Sequence, residues 1–135
     1  MEMTIEKLES YKGLTAEIKG LREQIDSLYD TYRSPQLKSD GGSHSMSAAG
    51  SPTESAVEKI LNLKEIYSKK YEETLDLLAE VESWLSTVDD VEIRSICRHH
   101  YILNKSWSQT SAIVYGFPSY YNSRKRVMRY FGREK

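Results

Sequence analysis

The chain has 135 residues, 29% of them charged and 39% hydrophobic, with a formal net charge of −1. That length allows one domain or two very small ones, and no apolar run approaches the roughly 20 residues a membrane-spanning helix requires. The single cysteine, Cys97, excludes an intramolecular disulfide, and the Met-Glu-Met-Thr start lacks the cationic and apolar parts of a signal peptide, so a soluble cytoplasmic protein is expected.

The first element is a long helix from about Thr4 to Arg33. Tyr11, Leu14, Ile18, Leu21, Ile25, Leu28 and Tyr32 recur in steps of three and four, the a/d pattern of a heptad repeat. So narrow a stripe needs a partner helix rather than a broad core. Gly13 and Gly20 lie off this seam, where close approach of another backbone is one explanation for them. Ser34-Pro35 ends the helix, because the residue before proline avoids the α region. Residues 34–53 are rich in Ser and Gly, which predicts a flexible linker.

A second long helix is expected over 54–88, capped by Thr53 or Ser55. Its apolar series is Val57, Ile60, Leu63, Tyr67, Tyr71, Leu75, Leu78, Val81, Trp84, Leu85 and Val88, with Glu65 and Lys69 as a favourable i,i+4 pair. Two such helices form either an antiparallel hairpin or strands of an oligomeric coil. Ten tyrosines against two Phe and two Trp suit half-buried seams and wet interfaces.

The composition changes at Asp89-Asp90. Residues 1–90 hold eighteen Asp/Glu and ten Lys/Arg, a balance of −8; residues 91–135 hold two and nine, a balance of +7. Either aspartate can cap a short helix from Val91 to about Leu103, with Ile93, Ile96, Cys97 and Tyr101 inside. Ser106 can cap a second, about Trp107 to Tyr115, with Gln109 at the capping-box position. Gly116-Phe117-Pro118-Ser119 is a turn, and a third helix runs from about Ser119 to Phe131. The fold class is therefore all-α: two long heptad-patterned helices (1–33 and 54–88, joined by 34–53), then a three-helix, helix-turn-helix domain over 89–135.

With Val127 placed inward and 100° per residue, Tyr120, Ser123 and Phe131 fall on the buried side of the last helix, and Arg124 and Tyr130 at its edges. Tyr121, Asn122, Lys125 and Arg129 point out, with Arg126 on one flank. An amide, a phenol and cations on one stripe suit double-stranded DNA. Tyr121, Asn122 and Lys125 are the expected base contacts. Arg124, Arg126 and Arg129, with Lys105 and Ser106 before the supporting helix, are the expected backbone contacts. Adjacent His99 and His100 diverge by about 100° on a helix and do not form a metal pair. Cys97, Trp84 and Trp107 are expected in the core. No phosphate loop or catalytic constellation appears, so neither an enzyme nor a cofactor or metal is expected.

Ile96-Cys-Arg-His-His-Tyr-Ile102, Lys105-Ser-Trp107, the Ala112 and Gly116-Phe117-Pro118 turn, and the run Tyr120 to Phe131 together resemble the C-terminal part of phage and prophage transcriptional regulators of the RinA/ArpU type. The front half is similar too, and the specific part covers about 40 residues. The resemblance implies a tail like region four of sigma factors and a late-gene regulator of a Gram-positive bacterial host. In such a regulator the long helices would pair subunits into a dimer or higher oligomer, or dock RNA polymerase. Ser111-Ala112 stands where the sigma pattern usually has Ile-Ala, and Pro118 where a serine often begins the recognition helix. A small terminase-like DNA-packaging protein and a helical adaptor without DNA binding are the alternative functions.

Overall fold

Local capping decides where most of these helices begin. The computed structural model describes residues 2–33 and 54–133, and among them all regular structure is helical. Helix α1 spans Ile5–Arg33 and α2 spans Glu54–Leu85. Helix α3 spans Val91–Cys97 and continues into a π-helical turn, Arg98–Ile102. Helix α4 spans Trp107–Tyr115, and α5 spans Tyr120–Tyr130. The linker expected over 34–53 lies outside the described residues. None of the described helices is long and apolar enough to cross a membrane.

Thr4 Oγ1 accepts from the Lys7 amide at 3.2 Å, and Asp90 accepts from the amides of Glu92 and Ile93 at 3.0 and 3.3 Å. Ser106 and Gln109 form a reciprocal capping box, at 3.0 Å into Ser106 Oγ and 2.9 Å into Gln109 Oε1. Gly116, at φ 91°, closes α4 by donating its amide to the Ala112 carbonyl. Only glycine takes that left-handed conformation without strain. Ser119 then accepts from the Asn122 amide at 3.2 Å and starts α5.

The chain divides into two compact units, Met1–Thr15 with Thr74–Lys135, and Ala16–Glu73. In the second, α1 and α2 pair antiparallel: Lys70 meets Glu17 at 3.4 Å, and further along Lys64 Nζ lies 4.8 Å from the centre of the Tyr29 ring. Ile25, Ala56 and Ile60 are buried there. Of the hairpin and the intermolecular coil, the single chain therefore makes hairpin-type contacts.

The apolar series expected on α2 is out of register in its middle. Tyr71 and Leu75 are exposed, as is Val57 near the start, whereas Thr74 is buried and Lys70 half-buried. The seam runs Ala56, Ile60, Leu63, Tyr67, Lys70 and Thr74 in steps of four and three. Polar residues hold two of these places, so hydrophobicity alone slips by one position. Helix α1 keeps its expected stripe as far as Leu28: Tyr11 and Ile25 are buried, and Leu14, Ile18, Leu21 and Leu28 half-buried, while the Tyr32 side chain lies outside the described residues. A Cβ on Gly13 or Gly20 would meet nothing within 4 Å, so among the described residues no backbone of another element approaches them closely.

In the first unit one core joins Leu8 of α1 and Val81 and Leu85 of α2 to Ile93, Ile96, Cys97, Tyr101 and Val127. The compact unit is thus larger than the 89–135 segment expected from composition. The residues from α1 and α2 add apolar surface to a segment small enough to be marginal alone. Burial pushes the Cys97 thiol up to about 12, as suits a core thiol. Arg94 Nη1 donates to the Val88 carbonyl at 2.6 Å, and Arg98 grips Glu82 through two nitrogens at 2.8 and 3.1 Å.

Candidate nucleic-acid interface

Three contacts hold α5 in place, and each frees its outer face. The first is buried. Ser123 Oγ donates to the Trp107 carbonyl at 3.0 Å and lies 2.7 Å from Ser111 Oγ; the Ser123 amide also reaches Ser111 Oγ at 3.1 Å. A hydroxyl has one proton, so Ser111 is the donor to Ser123. Both serines are fully buried, and their small size lets α4 and α5 approach closely. Apolar packing is the second contact: Val127 is fully buried, and Phe131 stacks on Trp84 with ring centres 5.7 Å apart.

The third contact is ionic. Arg126 pairs with Asp90, the residue capping α3, and its Nε lies 3.2 Å from Glu92. Burial works to raise the Asp90 carboxyl, but bonds from the Ile93 amide and Arg126 outweigh it and hold the group below its ordinary value. Tyr115 donates its hydroxyl to Glu92. Its own burial, then that carboxylate, push the phenol up to about 12.

The expected site residues sort accordingly. Tyr121, Asn122, Lys125 and Arg129 are exposed together on the side of α5 away from Val127. Among the described residues, the side chains of Asn122, Lys125 and Arg129 enter no ion pair or hydrogen bond. From Tyr121 to Arg129 the face is about 12 Å long at 1.5 Å per residue. Arg124 is half-buried, its guanidinium 6.0 Å from the centre of the Tyr120 ring. Arg126, expected on phosphate, is turned inward onto Asp90 and Glu92 and does not join the face. Ser106 spends its hydroxyl on the α4 cap, and Lys105 contributes its carbonyl to the histidine contact described next.

Tyr120 departs from the expected inward position. It is 52% exposed, and its ring meets that of Tyr121 edge to face at 5.2 Å. The angular count puts it on the core side, yet the ring stays largely in water, while Ser123 in the same turn packs on α4. Phe117, in the preceding turn, is also exposed. No local signal in the sequence distinguishes these rings from core aromatics.

A second polar cluster supports the loop before α4. His100 is buried, its ring stacked on Trp107 with centres 3.5 Å apart and planes 14° apart. Its Nδ1 is 2.7 Å from the Lys105 carbonyl. A carbonyl only accepts, so Nδ1 carries the proton. Burial, then the nearby Lys12 ammonium, push His100 down to about 4 despite that bond. Lys12 Nζ donates to the His100 carbonyl at 3.0 Å, and Asn104, at φ 60°, donates to Thr15 Oγ1 at 2.9 Å. The π turn is closed by the Leu103 amide on the Arg98 carbonyl at 2.9 Å, and His100 lies within it. His99 Nδ1 instead donates to the Ser95 carbonyl at 2.9 Å, so the two rings have separate partners.

No protein-family model, curated protein or solved structure matches this chain.

Proposed function

We propose that this chain is a sequence-specific DNA-binding regulator of transcription, of the phage late-gene type, and that it acts without catalysis or cofactor. In this reading α4, the Gly116 turn and α5 are a helix-turn-helix, and α5 is the recognition helix. One observation carries it: α5 presents Tyr121, Asn122, Lys125 and Arg129 on a single outward face and contains no acid. Asn122 would pair with adenine, and Tyr121 and Lys125 would meet neighbouring base edges. Arg124 and Arg129 would lie on phosphates, with Lys105 beside the supporting helix. Arg126 is reassigned: it sets the position of α5 through Asp90 and Glu92.

Self-association of the long helices belongs to the same proposal. Val57, Leu61 and Tyr71 are exposed on one side of α2 within the second unit, and such exposed apolar residues suit a partner helix. That partner would be a second copy, or host RNA polymerase in the bacterial cytoplasm.

The decisive experiment is selection of duplexes from random DNA, followed by binding at two salt concentrations. Three cations on phosphate give a log–log salt slope of about −3 per subunit. Replacing Lys105, Arg124 and Arg129 with Ala should flatten that slope and weaken all sequences alike; Asn122→Ala should mainly relax preference. Unchanged affinity in the triple variant refutes the proposal. Light scattering tests the assembly: a dimer supports regulation, whereas a closed ring of many subunits would favour the packaging alternative.

A further inference from the structure

We infer that the head of α5 reads thymine, through exposed aromatic rings that contact the 5-methyl group. The inference rests on the DNA-binding reading above and adds the base pair it selects. Phe117, Tyr120 and Tyr121 are 53%, 52% and 67% exposed. Three large rings thus remain in water within five residues, in a unit whose other aromatics, Tyr130 apart, lie in or against the core, as Tyr101 and Trp107 do. Clustered exposed apolar surface of this kind marks a contact site.

Charge identifies the occupant. Helix α5 carries Arg124, Lys125, Arg126 and Arg129 and no acidic residue. Lys125 and Arg129 share the outward face with Tyr121, and Arg124 lies over the Tyr120 ring. The partner is therefore anionic around its edge and apolar where the rings meet it. A DNA major groove has that pattern: phosphates line its walls, and the thymine methyl is the apolar group on its floor. Asn122, directly after Tyr121, presents the amide that matches adenine. The two neighbours together select a site containing A·T pairs, with thymine under the tyrosine and adenine under the asparagine. Phe117, in the turn that leads into the helix, extends the apolar contact by one side chain.

The test uses the full chain and a duplex it selects from random sequence. Each thymine is replaced in turn by deoxyuridine, which removes the methyl and leaves every hydrogen-bonding group. Losing one buried methyl contact should weaken binding about fourfold. The effect should appear at one or two positions only. Tyr121→Ala and Phe117→Ala should each lower affinity and abolish the further effect of uracil at their position, with the salt slope unchanged. A uracil duplex bound as tightly as the thymine duplex, with the salt slope intact, overturns the thymine inference and leaves DNA binding standing. Failure to retain any duplex overturns both. Aromatic variants that bind DNA normally but lose a protein partner also overturn it, and assign the rings to a protein surface.

Discussion

The Ser111–Ser123 contact provides a sharp test of how α5 is held. Ser111→Ala removes the hydroxyl that accepts from the Ser123 amide at 3.1 Å and donates to Ser123 Oγ at 2.7 Å. A net hydrogen bond contributes about 1 kcal/mol, and a buried polar group left unsatisfied costs about 1–3 kcal/mol. Ser123 Oγ keeps its bond to the Trp107 carbonyl, so the expected cost is about 1–2 kcal/mol. Ser123→Ala should cost about 1 kcal/mol, because the orphaned Ser111 hydroxyl can rotate onto the Trp107 carbonyl four residues earlier in its own helix. The double variant leaves neither hydroxyl orphaned. It should cost less than the sum of the singles by about 1 kcal/mol. Urea unfolding followed by far-ultraviolet circular dichroism reads this directly. With a slope of about 1.5 kcal/mol per molar, Ser111→Ala should lower the midpoint by roughly 0.7–1.3 M and Ser123→Ala by about 0.7 M. Additive effects, or singles that cost nothing, would show that the two serines do not act as one buried pair.

Three further outcomes follow from the same packing. His100 is neutral in the fold and ordinary when unfolded, so the unfolded chain takes up a proton first as pH falls below about 6.5. Stability should be complete above that pH and decline toward pH 4, by up to about 3 kcal/mol; a His100→Phe variant whose denaturation midpoint stays flat across this window checks the assignment. Gly13→Ala and Gly20→Ala should each stabilise by about 1 kcal/mol, since both glycines are exposed within α1 and an added Cβ meets open space; a fall in melting temperature would mean that a second chain approaches there. The Tyr101 hydroxyl is buried with no hydrogen-bond partner among the described residues, so Tyr101→Phe should be neutral or stabilising by about 1 kcal/mol in the same urea assay.

Several features of the fold are legible from neighbouring residues alone. The capping box at Ser106 and Gln109, the aspartate cap of α3 and the Gly116 stop each depend on contacts within three or four residues. Such contacts form in any helix with that sequence. The α1 stripe follows for a related reason, because its seam positions are nearly all apolar and one period explains them. The outward set Tyr121, Asn122, Lys125 and Arg129 is likewise fixed by helical geometry once Val127 is inside. The π turn left no comparable mark: Arg98 to Ile102 satisfies an ordinary helical pattern, and the contacts of His100 with the ring of Trp107 and the ammonium of Lys12 are tertiary.

Thus the amino-acid order by itself determined an all-helical chain, most of its helix boundaries and the face that α5 turns to solvent, because these depend on short-range hydrogen bonds and a fixed rotation per residue. Only the tertiary structure decided that Lys70 and Thr74 displace Tyr71 and Leu75 from the α2 seam, that Tyr120 stays in water, and that Arg126 turns inward to Asp90. Each of these depends on what a distant segment places opposite the residue. Burial and charge pairing belong to the surroundings, and a periodic pattern along one helix contains no record of them.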